Sequence, residues 1–161
     1  MKVQDVMTQK TRVCYGDTSL AEAAQLMWNH DCGILPVLES TTGRLVGVIT
    51  DRDICIGAAM VGDSPHRVPV RHCCSRGIHT CRPGDDVQVA HRLMREHRVR
   101  RIPVVVDDDQ VVGIVSIDDL AIAALHGRGA RSDRAEVGLT LARIRTGGEL
   151  VPMEAKEAAQ S

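Results

Sequence analysis

The feature that most constrains this chain is a stretch that occurs twice. Gly47-Val48-Ile49-Thr50-Asp51-Arg52-Asp53 and Gly113-Ile114-Val115-Ser116-Ile117-Asp118-Asp119 each run glycine, two β-branched residues, a hydroxyl residue, two variable residues and an aspartate. Sliding Leu20 onto Val87 extends the match across most of the sequence. Val3 then meets Val70, Cys14 meets Cys81 and Ala23 meets Ala90. Leu26-Met27 meets Leu93-Met94, His30 meets His97, and Pro36-Val37 meets Pro103-Val104. After one deletion Val46-Gly47 meets Val112-Gly113 and Asp53 meets Asp119. Identities falling in order with a single gap mark a duplicated unit, and a repeat fixes the fold class before any local reading does.

Each unit has the same pattern. A short apolar segment, Thr11 to Cys14 or Ile78 to Cys81, leads to a turn at Gly16-Asp17-Thr18 or Pro83-Gly84-Asp85. A helix follows. In unit one Ser19-Leu20-Ala21-Glu22 is a capping box, in which serine satisfies the amide three residues on and glutamate reaches back. Leu20, Ala23, Ala24 and Met27 recur at helical spacing, as do Val87, Ala90, Met94 and His97. Two strands come next, Leu35 to Leu38 with Leu45 to Ile49, and Ile102 to Val106 with Val111 to Val115. The second strand of each pair is nearly all apolar, which predicts burial on both faces. Thr50 and Ser116 start a second helix. The chain therefore reads as α/β, of the α+β kind, with two β-α-β-β-α repeats. Residues 1–60 form repeat one and 70–127 repeat two. The join from Gly57 to Pro69 is rich in Gly, Pro, Ser and Asp, with 61–69 as the linker proper. Residues 128–161 read as a charged flexible tail, with Val137, Leu141 and Ile144 as one face of a short helix and a disordered last dozen residues.

Composition narrows the class. There is no Phe, one Tyr and one Trp, so the core must be aliphatic. A net charge of −1 gives no support to nucleic-acid or anionic-membrane binding. No apolar run approaches the ~20 residues that span a bilayer. The residues after Met1 lack a secretion signal's apolar region. The expectation is a cytoplasmic protein whose six cysteines are free thiols. No nucleophile elbow, P-loop or His-Glu-x-x-His is present, so the expectation is a regulator and not an enzyme.

Asp5-Val6-Met7-Thr8, the paired turn-helix starts, Leu35-Pro36-Val37, Ile102-Pro103-Val104 and the two Gly-x-x-[Thr/Ser]-x-x-Asp stretches together resemble a tandem pair of CBS domains, often called a Bateman module. The resemblance covers about residues 2 to 126, and the chain looks like the small stand-alone pairs of actinobacteria, including the stress- or hypoxia-response type. It implies two repeats packed about a pseudo-twofold axis, clefts between their sheets, and a flat disc-like homodimer read by a downstream protein. It also implies an adenosine-containing ligand such as AMP, ADP, ATP or S-adenosylmethionine, with no cofactor required.

The resemblance assigns ribose to Thr50, Asp53, Ser116 and Asp119. It assigns the base to Val13, Ile34 and Pro36 in repeat one and to Ile78, Thr80, Ile102 and Pro103 in repeat two, and phosphate to Arg100 or Arg101. The motifs also have a purely structural account, since a hydroxyl residue followed three positions later by a carboxylate caps a helix, worth about 1 kcal/mol. Capping and binding are compatible. An aspartate can accept from both ribose hydroxyls, a helix N-terminus favours phosphate, and glycine permits close backbone approach. Thr80 and Arg101 accompany only the Ser116–Asp119 copy, so repeat two is expected to hold the better site. Two other readings stand beside this one: a stress-related interaction module with empty clefts, and a thiol or metal switch built on His72, Cys73, Cys74, His79 and Cys81, although no Cys-x-x-Cys is present.

Overall fold

The computed structural model describes residues 1–126 and 131–146. Its elements are β1 (Thr8–Gln9), β2 (Cys14–Tyr15), α1 (Leu20–Asn29), β3 (Ile34–Leu38), β4 (Leu45–Thr50), α2 (Asp51–Val61), α3 (Val87–His97), β5 (Arg101–Val105), β6 (Val111–Ser116), α4 (Ile117–Leu125) and α5 (Arg131–Thr146). The leading apolar segments, expected as strands, supply only the two residues of β2 and a single bridge from Cys81 to Val104. Helix α2 runs past Gly57 to Val61, so the first part of the Gly57–Pro69 join is helical and ends on Gly62 at φ 70°.

Two three-stranded sheets form, in the orders β2-β3-β4 and β1-β6-β5. The second order shows how the repeats are joined. β1 comes from the head of the chain yet pairs with β6 of repeat two, Thr8 opposite Ile114 and Gln9 opposite Gly113. Reciprocally, Ser75, from the segment leading into repeat two, bridges Val48 of β4. Val3 donates its amide to Asp85 and lies in the repeat-two core with Cys81, Val87 and Met94. Val70 donates to Thr18 and lies in the repeat-one core with Cys14, Leu20 and Met27. Both valines are fully buried. Each repeat is thus completed by the leading segment of the other, and this reciprocal exchange gives the molecule its pseudo-twofold symmetry.

The repeated glycines belong to this exchange. A Cβ at Gly113 would lie 2.7 Å from the Thr8 carbonyl oxygen, and one at Gly47 would lie 3.1 Å from the Ser75 carbonyl oxygen and 3.0 Å from the Cys74 sulfur. The close approach that the sequence reserves for a ligand is made by the chain itself. The expectation that β4 is buried on both faces fails. Leu45, Gly47 and Ile49 are buried while Val46 on the other face is exposed, so this strand buries one face only at that end.

Repeat one keeps the capping box read at Ser19: the Glu22 amide donates to the serine hydroxyl oxygen at 3.2 Å and the Ser19 amide donates to the Glu22 carboxylate at 2.9 Å. Beyond repeat two, α5 packs on α3 and α4, with Val137 buried and Ile144 against the same core. Leu141, read as part of that face, is exposed, and fully buried Thr140 takes the inward place between α3 and the core. Arg131 to Arg134, read as flexible, open this helix, whereas 127–130 and the last dozen residues lie outside the described residues.

The glycine geometry orders two substitutions. Gly113→Ala is expected to cost about 2 kcal/mol, because backbone at 2.7 Å cannot move without breaking the β1–β6 pair. Gly47→Ala is expected to cost less, because the Cys74 side chain can give way at one of its two contacts. Urea denaturation of both variants checks the order.

Candidate functional site

The two motif helices begin identically. Thr50 caps α2 at φ −112° and ψ 164°, and Ser116 caps α4 at φ −112° and ψ 163°. The Thr50 amide and hydroxyl donate to Asp53 Oδ2 at 2.9 and 2.7 Å, and the Ser116 amide and hydroxyl donate to Asp119 Oδ2 at 2.8 and 2.6 Å. Each aspartate therefore commits one oxygen to its helix. The other oxygen of Asp119, Oδ1, meets only the Thr8 hydroxyl, at a long 3.5 Å among the hydrogen bonds described. The structural account of the motif is satisfied with acceptor capacity to spare.

Ser116 and Asp119 open onto a cavity of ≈ 360 Å³ between the repeats. Its walls combine Thr8, Lys10, Thr11 and Arg12 from the head of the chain, His30 to Ile34 from the end of α1 and the start of β3, and Arg101, Ile114, Ser116, Asp118 and Asp119 from repeat two. Of the residues singled out in the sequence, the fold brings Ile34, Arg101, Ser116 and Asp119 to this one cavity. Ile34 belongs to repeat one and the other three to repeat two, so the cavity is built across the duplication. Arg101 is opposite Ser116 in the β5–β6 register, which fixes its place beside the α4 N-terminus.

The remaining candidates are placed elsewhere. Arg100 is exposed and its carbonyl accepts from the Ile117 amide at 2.9 Å. Pro36, Ile102 and Pro103 are buried within strands, and Val13, Ile78 and Thr80 are half-buried outside the walls of this cavity. Thr50 and Asp53 hold the equivalent corner of repeat one. Sequence reasoning missed Lys10 and Arg12, which have no strand or helix periodicity to mark them. Thr8 was within reach as the last residue of the Asp5–Thr8 head segment, and only the exchange of that segment into repeat two carries it to Asp119.

A second cavity of ≈ 420 Å³ adjoins the first and shares Asp31, Cys32, Gly33 and Arg101 with it. Gly33 leaves this junction open: a Cβ there would lie 3.1 Å from Asp51 Oδ2 and 3.6 Å from an Arg101 guanidinium nitrogen. Burial raises the Cys32 thiol above its ordinary range, against the opposing pull of the Ile34 amide, Arg101 and Arg12.

The corner equivalent to Arg12 and His30 differs in repeat two. There His79 and His97 stack with ring centroids 3.3 Å apart and planes 7° from parallel. Burial, and then the neighbouring His97, lower the His79 pKa. The cysteines read as a switch fall in two places. Cys73 and Cys74 pack against the repeat-one core, while Cys81 is buried in the repeat-two core. They therefore form no common cluster, and no group of three or more His, Cys, Asp or Glu that could hold a metal occurs among the described residues. Burial pushes the thiols of Cys14 and Cys81 up to about 12. Among the described residues no helix is long and apolar enough to cross a membrane.

Comparison with known proteins places this geometry. The CBS domain family matches residues 3–56 and 70–126. The CBS domain-containing protein YhcV of Bacillus subtilis is 35% identical over 130 residues, 81% of this chain and 90% of that protein. Hypoxic response protein 1 of Mycobacterium tuberculosis is 36% identical over 109 residues, 67% of this chain and 75% of that protein. Among solved structures, the CBS domain pair of protein MJ0100 in complex with 5-methylthioadenosine and S-adenosyl-L-methionine superposes with a TM-score of 0.68 at 26% identity, covering 80% of this chain and 97% of that one. CBSX2 in complex with AMP gives 0.67 at 26%, covering 80% and 98%. Hypoxic Response Protein I with two coordinated zinc ions gives 0.68 at 32%, covering 76% and 98%.

The histidine stack sets a pH dependence. A folded-state pKa below the ordinary value of 6.5 means that the His79 contribution is fully present above 6.5 and is lost as pH falls from there through the lowered folded-state pKa. In a ring-proton NMR titration His79 is expected to titrate below 6.5 and to move part of the way back in His97→Ala. Thiol chemistry gives a second check. At pH 8 iodoacetamide should label exposed Cys55 and spare Cys14 and Cys81 in the native protein, as read by mass spectrometry.

Proposed function

Because this chain belongs to the CBS-domain family, we propose that it is a non-catalytic sensor that binds an adenosine-containing ligand in the cavity bounded by Ser116 and Asp119. The observation that carries this reading is the convergence there of three kinds of group. Asp119 offers a carboxylate oxygen left over after capping, suited to a pair of ribose hydroxyls. Ile34 offers an apolar wall for a base, and Lys10, Arg12 and Arg101 offer cations for a phosphate beside the N-terminus of α4. A volume of ≈ 360 Å³ falls within the ~300–1,000 Å³ typical of small-molecule sites.

The ligand class follows the S-adenosyl-L-methionine and 5-methylthioadenosine in the MJ0100 structure and the AMP in the CBSX2 structure, to which ADP and ATP are added as phosphorylated relatives of AMP. The walls come from both repeats, so a bound ligand favours one relative orientation of the two, and a downstream protein reads the shift. This is a population shift set by the ligand's differential affinity for the two orientations. The likeness to Hypoxic response protein 1 supports a stress-linked setting for that signal.

Calorimetry with AMP, ADP, ATP and S-adenosylmethionine tests the reading, and absence of binding by all four at millimolar concentration defeats it. Asp119→Asn, which keeps an acceptor for the α4 cap, is expected to weaken binding by about tenfold or more. Arg101→Ala is expected to weaken phosphate-bearing ligands selectively, and Asp53→Asn is expected to have the smaller effect.

A further inference from the structure

The two repeats differ in what their first helices leave open. In repeat two, α5 packs on α3 through polar groups: the Nδ1 of buried His91 lies 2.9 Å from the Thr140 hydroxyl, and Arg95 forms an ion pair with Glu136. The positions of His91 and Arg95 are Ala24 and Trp28 in repeat one. Polar partners for a covering helix have been exchanged there for a small residue and the chain's single tryptophan, whose indole is 84% exposed.

Trp28 borders the ≈ 420 Å³ cavity, whose other apolar residues include Ala24, Met27 and Ile54. This cavity continues into the ≈ 360 Å³ cavity bounded by Ser116 and Asp119, since Asp31, Cys32, Gly33 and Arg101 line both. Arg101 stands at the junction, with a guanidinium nitrogen 3.6 Å from the place a Gly33 Cβ would take. Asp51 reaches the same point from the start of α2. Its Oδ1 accepts from the Arg52 amide at 2.7 Å, and its Oδ2 lies 3.1 Å from that Cβ position.

We propose that the two cavities form one site for a dinucleotide, a ligand of two nucleosides joined through a diphosphate, with the second base stacked on Trp28. The proposal rests on the sensor reading of the first cavity and narrows its ligand. The groups follow one another in the order such a ligand needs. Asp119 and Ile34 receive the first ribose and base, and Arg101 at the junction receives the diphosphate. The second ribose falls to Asp51, and the indole supplies a flat apolar face on which a base stacks. A mononucleotide in the first cavity leaves the indole untouched. The carboxylates of Asp31 and Asp51 and the face of the indole all attract positive charge, which favours a cationic ring such as oxidised nicotinamide as the second base. Repeat two has no such platform, because Arg95 at the equivalent position is engaged by α5.

Because Trp28 is the only tryptophan, its fluorescence reports the stacking directly. The full chain is titrated with oxidised nicotinamide adenine dinucleotide, with diadenosine diphosphate and with ADP-ribose, which keeps both riboses and the diphosphate but lacks the second base. The favoured dinucleotide should bind about tenfold tighter than ADP-ribose in calorimetry and quench the Trp28 emission, which ADP-ribose leaves unchanged. Comparison of the two dinucleotides tells a pyridinium second base from a purine. Trp28→Ala, at an exposed position outside the core, should remove the advantage of the dinucleotide and leave ADP-ribose binding as it was. Binding of AMP or ADP-ribose with neither dinucleotide tighter overturns this inference and leaves the sensor reading standing. So does a dinucleotide advantage that survives in Trp28→Ala. Absence of binding by every one of these ligands overturns both.

Discussion

The exchange of leading segments holds the molecule together. Val3 fills the core of repeat two, Val70 fills the core of repeat one, and neither repeat has a complete sheet without the strand or bridge supplied through the other. The repeats therefore cannot hinge freely. Their relative orientation is set by the Thr8 carbonyl against Gly113 and the Ser75 carbonyl against Gly47, contacts that leave no room for a Cβ. A cavity between repeats joined this way is framed by contacts that restrict their relative movement.

The same economy governs the paired aspartates. One carboxylate oxygen receives the amide and hydroxyl of Thr50 or Ser116 and closes the capping box, which fixes the side chain at the mouth of the helix. A group so held loses little further freedom on binding. Capping alone therefore supplies the preorganisation on which the proposed ligand site would draw.

Duplication made two equivalent corners, and substitution made them different. Where one corner has Arg12 and His30 on the walls of a cavity, the other has His79 and His97 stacked on each other. Where repeat one has Ile34, repeat two has Arg101 at the start of its strand. On the outer faces, Ala24 and Trp28 stand against His91 and Arg95. The pseudo-symmetry keeps the backbone frame, and the chemistry is distributed unevenly over it.

The sequence by itself determined the repeats, their helices and the capping boxes, because periodicity and cap spacing are local and are written within a few residues. It also marked Ser116, Asp119, Ile34 and Arg101, which do share a cavity, although it grouped Ile34 with its own repeat. The exchange of β1 into the far sheet was not legible. A two-residue strand has no periodicity, and its partner lies about a hundred residues away, Thr8 opposite Ile114. Lys10 and Arg12 were hidden for the same reason, as was the docking of α5, whose inward residue at the centre is polar Thr140 where the pattern favoured Leu141. Local order follows from neighbours along the chain. Which surfaces meet is decided by long-range closure, where one buried valine and one carbonyl against a glycine settle what no window of sequence contains.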